Sequence, residues 1–222
     1  MKTFKALAAL LAYPESDIVA AAGEIEDALR EERLVSRVAL TSLQVLLAQL
    51  RQDDLIDLQE RYVSLFDRVR SLSLHLFEHV HGESRDRGQA MVDLRRLYAS
   101  HGFELATDEL PDYLPAFLEF LSALPLNEAR NHLRDTVHLL ESIGARLAKR
   151  GTAYAAVFRA LLEIAGETGA AGVTVSDEEI RAEDDPATLD ESWREQPAFG
   201  PGPGCGAAGR AVPITFHKGV TA

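Results

Sequence analysis

Cysteine is nearly absent from this chain: a single thiol, Cys205, in 222 residues. That excludes a disulfide framework, and with it any zinc or iron–sulfur site built only from the cysteines of one chain. Long apolar runs are missing too. Nothing approaches the roughly 18 uninterrupted apolar residues of a spanning helix, so no direct membrane insertion is expected. Basic residues are in deficit, 23 Lys+Arg against 35 Asp+Glu, for a net charge of -12. Binding a phosphate backbone needs a basic footprint, so no nucleic acid partner is expected. Strand signals are confined to two short isolated runs, Gly172–Val175 and Val212–Phe216. Proline does not occur between Glu15 and Leu110, and five of the nine prolines follow Glu183. The middle of the chain is therefore free to be helical.

The apolar residues there recur at helical spacing. Leu40, Leu43, Leu47 and Leu50 form one stripe, and Leu55, Leu58, Tyr62, Leu65 and Phe66 another. Val92, Leu94, Leu97 and Tyr98 suggest a third, Leu114, Phe117, Leu118 and Leu121 a fourth. Val137, Leu140, Ile143 and Leu147 give a fifth, Val157, Leu161, Leu162 and Ile164 a sixth. Side chains able to cap a first turn stand at Ser16-Asp17, Ser36, Asp53, Ser84 and Asn127. Glycines able to end helices stand at 82, 102, 151 and 166. The expected fold is all-α: a single domain of about eight helices over residues 1–170. Met1 to Ala12 imitates a signal peptide. Its apolar run is short, however, and Tyr13-Pro14-Glu15 follows without a small-residue cleavage pattern, so a first helix and a cytoplasmic location are expected.

Residues 171–222 differ. Between Asp177 and Glu191 eight acidic residues face one basic one, Arg181, and a Gly/Pro-rich stretch follows from Gly200 to Gly209. Such a composition cannot bury enough apolar surface to offset ordering entropy, so a mostly disordered acidic tail is expected. Cys205 lies there with nothing basic beside it, an ordinary exposed thiol. The tail glycines lack the preceding strand and the Lys-Ser/Thr of a phosphate loop.

Two segments carry chemistry. In the first, Leu74 to Gly88, three of the seven histidines fall within seven residues: His75, His79 and His81. On a helix His75 and His79 would share one face, a spacing that can clamp a metal. The His-Glu-x-x-His order of a zinc hydrolase is missing. The same residues also suit a polar helix end whose imidazoles hydrogen-bond neighbours or meet a partner, or a pH-linked switch. Glu78, Glu83 and Asp86 beside Arg85 and Arg87 read as a salt-bridged turn. Gly82-Glu83-Ser84 is no nucleophile elbow, so no enzymatic constellation emerges. In the second segment, Asp108 to Leu121, Asp112 can cap a helix whose first turn holds Pro115. Its Leu/Phe face is core or, beside carboxylates, the wall of a groove for a basic and apolar peptide.

At these segments the chain resembles the nitrate reductase assembly chaperones of the NarJ type, within the wider TorD/DmsD group of redox-enzyme maturation chaperones. Four stretches carry the likeness, in order: Leu10-Leu11-Ala12-Tyr13-Pro14; Tyr62-Val63-Ser64-Leu65-Phe66-Asp67; the run from Leu72 to Met91; and Glu109-Leu110-Pro111-Asp112-Tyr113-Leu114-Pro115 followed by Leu118-Glu119-Phe120-Leu121. The long run is the most specific. The wider group often has His after the Pro-Asp pair, where this chain has Tyr113, which cannot carry a positive charge near neutral pH.

The resemblance implies an all-α chaperone without enzymatic activity or cofactor of its own. Such proteins bind the N-terminal segment of the apo catalytic (alpha) subunit of respiratory nitrate reductase. They hold it for molybdenum cofactor insertion and release it for assembly at the membrane. A monomer or weak homo-oligomer suits that transient role. The residues expected to bind peptide are Tyr62 and Phe66 as groove floor or core, and Glu78, Asp112 and Glu119 as charges. His75 and His79 would make adaptable hydrogen bonds, with Arg85, Arg87, Pro111, Tyr113 and Phe120 around them. The alternatives are a chaperone for a related molybdoenzyme, a permanent scaffold subunit, and a metal-binding protein using the histidine cluster.

Overall fold

In the computed structural model, residues 1–81, 85–105, 109–167 and 173–185 are described. They form twelve α-helices: α1 Lys2–Leu11, α2 Ser16–Ala20, α3 Ala22–Glu32, α4 Arg37–Gln52, α5 Leu55–Tyr62, α6 Leu76–His81, α7 Arg85–Ser100, α8 Leu114–Ala123, α9 Leu126–Asp135, α10 Val137–Lys149, α11 Ala155–Ala165 and α12 Asp177–Asp184. The fold is all-α, and the described residues contain no strand beyond one isolated bridge. The expected stripes fall on α4, α5, α7, α8, α10 and α11. The surplus over about eight helices includes short pieces, α2, α6 and α12, too brief to show a hydrophobic period.

Three helices make the centre. α1 buries Phe4, Leu7, Leu10 and Leu11 and packs chiefly on α8, then on α3. The segment that imitates a signal peptide is thus part of the core. Its first turn is closed from a distance: the Glu32 carboxylate accepts the N–H of Lys2 at 2.6 Å and of Thr3 at 2.7 Å. α8 buries Leu114, Phe117, Leu118, Phe120 and Leu121. α11 buries Val157, Phe158, Leu161 and Ile164 and packs on α10, α4 and α9. Ser36 caps α4 as expected, its hydroxyl accepting from the Ala39 N–H at 3.1 Å. Gly166 ends α11 at a φ of +97°, where an L side chain would be strained. Ser84 and Gly82 lie outside the described residues.

After α5 the helix widens into a π-helical turn, Val63–Asp67, and then tightens into a 3₁₀ turn, Arg70–Leu72. Phe66 is buried in the first and Leu72 in the second. Their sequence hardly signals either change, because the apolar spacing continues through both.

The start of the tail departs from expectation. Asp177–Asp184 is a helix with a complete capping box between Ser176 and Glu179. Its acids meet cations of α10: Glu183 pairs with Arg146 and Arg150, each at 2.9 Å. Acidic composition marks this segment as tail-like only when those arginines are left out of account. Residues 186–222, with Trp193 and Cys205, on which the rest of the expected disordered tail falls, lie outside the described residues.

Candidate peptide-binding site

The two segments singled out in the sequence meet. His75 and Tyr113 form an isolated antiparallel bridge. The Leu76 N–H donates to the Asp112 carbonyl at 3.0 Å, and the Leu114 N–H donates to the Leu74 carbonyl at 2.8 Å. These two bonds flank the His75–Tyr113 pair, which is therefore of the non-hydrogen-bonded kind with the side chains close together. The imidazole and phenol rings lie 5.3 Å apart between centroids.

His75 consequently precedes α6 instead of sitting on it. The arrangement that would let His75 and His79 share one helical face is therefore not formed. The His75 Nδ1 approaches the Asp112 Oδ1 at 3.4 Å, whereas the His79 Nε2 donates to the Ser73 carbonyl at 2.8 Å. His81 packs its ring against Phe77, with centroids 5.6 Å apart. Among the described residues no group of three or more His, Cys, Asp or Glu is arranged to hold a metal ion.

Asp112 also differs from its expected role. It does not cap α8, whose N-cap position is Tyr113. Its side chain is wholly buried and caps α6 from across the chain, the Oδ2 accepting the Phe77 N–H at 3.0 Å. With the Leu76 bond above and a Glu78 N–H bond to the His75 carbonyl at 3.1 Å, the first three donors of α6 are satisfied. A buried carboxylate is costly unless it is hydrogen-bonded and paired. Here a helix N-terminus and the His75 imidazole supply both. Asp112 is accordingly closed to a peptide and acts by holding His75 and α6 in place.

Tyr113 is half-buried over an aromatic bed. The Tyr62 hydroxyl lies 3.0 Å from the Tyr113 hydroxyl and donates to the Leu11 carbonyl, also at 3.0 Å. Tyr62 in turn packs on Phe66, at 4.9 Å, and on the exposed Tyr13, at 5.5 Å. Tyr154 closes the bed from α11's side, 5.0 Å from Phe66. Pro111 is buried, and its carbonyl accepts the Tyr98 hydroxyl at 2.6 Å. Phe120 belongs to the cluster behind that bond, 4.5 Å from Tyr98. Tyr62, Phe66, Pro111 and Phe120 are thus core and support. Glu119 is exposed on α8. Glu78 pairs with Arg87 at 3.2 Å, joining α6 to α7. Arg85 begins α7, and its side chain lies outside the described residues.

The electrostatics separate the two histidines. Bonding to Asp112 raises His75 above its ordinary value, against the effect of its partial burial. Burial lowers His79, so the neutral ring is favoured there. Burial likewise raises the Tyr113 phenol, which stays neutral, with Glu109 and Asp67 adding to the effect. Asp67 and Glu109, both exposed, therefore stand within electrostatic reach of the bridge, with exposed Leu110 beside them. Sequence reasoning left Asp67, Glu109 and Tyr13 out of the site although all three lie in the quoted motifs. Their adjacency comes from the bridge, which no local pattern announces.

The nitrate reductase delta subunit family matches residues 23–160, a span that includes the whole bridge. The chain belongs to that family. A curated relative, the Escherichia coli (strain K12) nitrate reductase molybdenum cofactor assembly chaperone NarJ, is 40% identical over 213 residues, covering 94% of this chain and 88% of the relative. The probable assembly chaperone NarW of the same strain is 45% identical over 143 residues, 64% of this chain and 62% of that protein. The probable assembly chaperone NarJ of Bacillus subtilis (strain 168) is 30% identical over 162 residues, 72% of this chain and 86% of that protein. The likeness drawn from the four motifs is therefore a family relationship. Among the described residues of this family member, no helix is long and apolar enough to cross a membrane.

Proposed function

We propose that this delta-subunit family member is a maturation chaperone for respiratory nitrate reductase. It captures the N-terminal segment of the apo catalytic (alpha) subunit in the cytoplasm. It holds the client for molybdenum cofactor insertion, releases it for assembly at the membrane, and catalyses no reaction itself. The names of the relatives support the chaperone role.

The observation that carries the peptide-binding part is the face around the bridge. Tyr113 and His75 form its floor, exposed Tyr13 and Leu110 offer apolar anchors, Asp67 and Glu109 supply negative charge, and the Glu78–Arg87 pair stands beside them. Next to Tyr13 an open groove of about 710 Å³, bordered by Ile56, Glu60, Arg61 and Val63, extends the surface. Such a face suits a short amphipathic segment with basic residues, docked as a helix in a groove. The negative charge of the whole chain raises the encounter rate more than the final affinity. Asp112, Tyr62 and Phe66 act as positioning residues. Glu119, exposed on α8, offers a further negative charge.

Calorimetric titration with a synthetic peptide from the N-terminus of the catalytic subunit tests the reading. Saturable one-to-one binding is expected, weakened by Asp67→Asn with Glu109→Gln and by added salt. Absence of binding to a folded protein overturns client capture by this route. A stronger response to the equivalent peptide of another molybdoenzyme would transfer the role to that client.

A further inference from the structure

A structural device lies at the C-terminal end of α10, where Arg146 stands within electrostatic reach of His79. Arg146, Lys149 and Arg150 stand there as a cationic strip, and α12 lies across it. Glu183 joins Arg146 and Arg150, Asp184 joins Arg150 at 2.8 Å, and Asp177 joins Lys149 at 2.7 Å. No residue of α12 is buried. The segment before it, Val173–Val175, runs along a cleft of about 770 Å³ between α10 and α11, floored by Gly144, Ala148 and Leu162. Val175 is buried.

We propose that α12 is a reversible ionic latch, which when docked holds Val173–Val175 across the α10–α11 cleft and when released opens that cleft and the Arg146–Lys149–Arg150 strip. This inference does not depend on the client-binding reading. An eight-residue helix is too short to persist alone in water, so α12 folds where it docks. Because no residue of α12 is fully buried and its one large apolar side chain, Ile180, is only half-buried, its docking rests mainly on ion pairs. The docked state also carries a cost. The Arg150 side chain is only 8% exposed, and its Nη1 is buried without a hydrogen-bond partner among the described residues. Release returns that guanidinium to water. Attraction and desolvation oppose each other, which leaves the two states close enough to exchange. Glu183 illustrates the balance: burial works to raise its carboxyl, and the bonds from Arg146 and Arg150 overcome that and hold it below the usual range.

Amide hydrogen exchange of the full chain, read over 173–185 at low and high salt, tests the latch. Protection of α12 is expected at low salt. It should fall about tenfold or more toward 1 M salt, where the screening length shrinks to ~3 Å, while α11 stays unchanged. Glu183→Ala should remove it already at low salt. Iodoacetamide labelling of a Val175→Cys, Cys205→Ser variant should accelerate in parallel. Protection that persists through salt and Glu183→Ala would mean apolar docking and overturn the proposal. An α12 unprotected at low salt would overturn it as well.

Discussion

Replacing Asp112 by Ala should destabilise the protein by about 2–3 kcal/mol, and the structure says where the loss arises. The Phe77 N–H is buried and its acceptor is the Asp112 Oδ2 at 3.0 Å. Leaving such a donor unpaired costs about 1–3 kcal/mol. The His75 imidazole loses its anion at 3.4 Å, a smaller term because the ring is 31% exposed and the contact is long. In a chain of this size each kcal/mol shifts the melting temperature by about 2–4 °C, so a drop of about 4–12 °C is expected. Asp112→Asn retains an acceptor for Phe77 while removing the charge, and should cost about 1 kcal/mol. Thermal unfolding by circular dichroism gives the magnitude, and exchange of the Phe77 amide gives the location. A melting temperature within about 2 °C of wild type for Asp112→Ala, with Phe77 still protected, would refute the capping argument.

Further outcomes follow from the same contacts. His75 lies above its ordinary value in the fold, so its bond to Asp112 stabilises fully below the unfolded value of roughly 6.5 and fades as pH rises through the folded value. The stability gap between wild type and Asp112→Asn should therefore be widest below about pH 6.5 and narrow above it; a gap independent of pH would contradict this. His79 has the opposite sign: its lowered value makes the fold lose stability as pH falls below roughly 6.5, and His79→Gln should flatten that limb in acid-unfolding curves. Tyr62→Phe deletes a hydroxyl shared between the Leu11 carbonyl and Tyr113, and urea titration should register a loss of about 1 kcal/mol. At Gly144 an added Cβ would come within 3.0 Å of the Phe158 Cβ, where α10 and α11 pack closely. Gly144→Ala should lower the melting temperature despite the better helix propensity of alanine, since overpacking costs about 1–3 kcal/mol against a gain of about 1.

Much of this fold was legible because its helices are amphipathic. The stripes at Leu43/Leu47/Leu50, Leu114/Phe117/Leu121 and Leu140/Ile143/Leu147 mark α4, α8 and α10, and all of those residues are buried. The all-α class and the family likeness followed from the same sequence. The detail of the site did not. Asp112 sits where a local rule makes it a cap for the helix that follows, yet its carboxylate serves α6, 35 residues earlier in the chain. His75 and His79 carry the spacing of a helical pair, but the bridge to Tyr113 holds His75 outside α6. Both outcomes arise from a tertiary pairing that supplies donors and acceptors no window of sequence contains. The start of the tail misled for the reverse reason. Its acids read as solvated until Arg146 and Arg150 are placed beside them.

The most direct test of the account is backbone amide NMR of the labelled protein during titration with the catalytic-subunit N-terminal peptide. The expected result is saturable shifts concentrated at His75, Tyr113, Leu110, Tyr13 and Asp67, weak or absent after Tyr113→Ala. Shifts that cluster elsewhere, or that survive Tyr113→Ala unchanged, would contradict capture at the bridge.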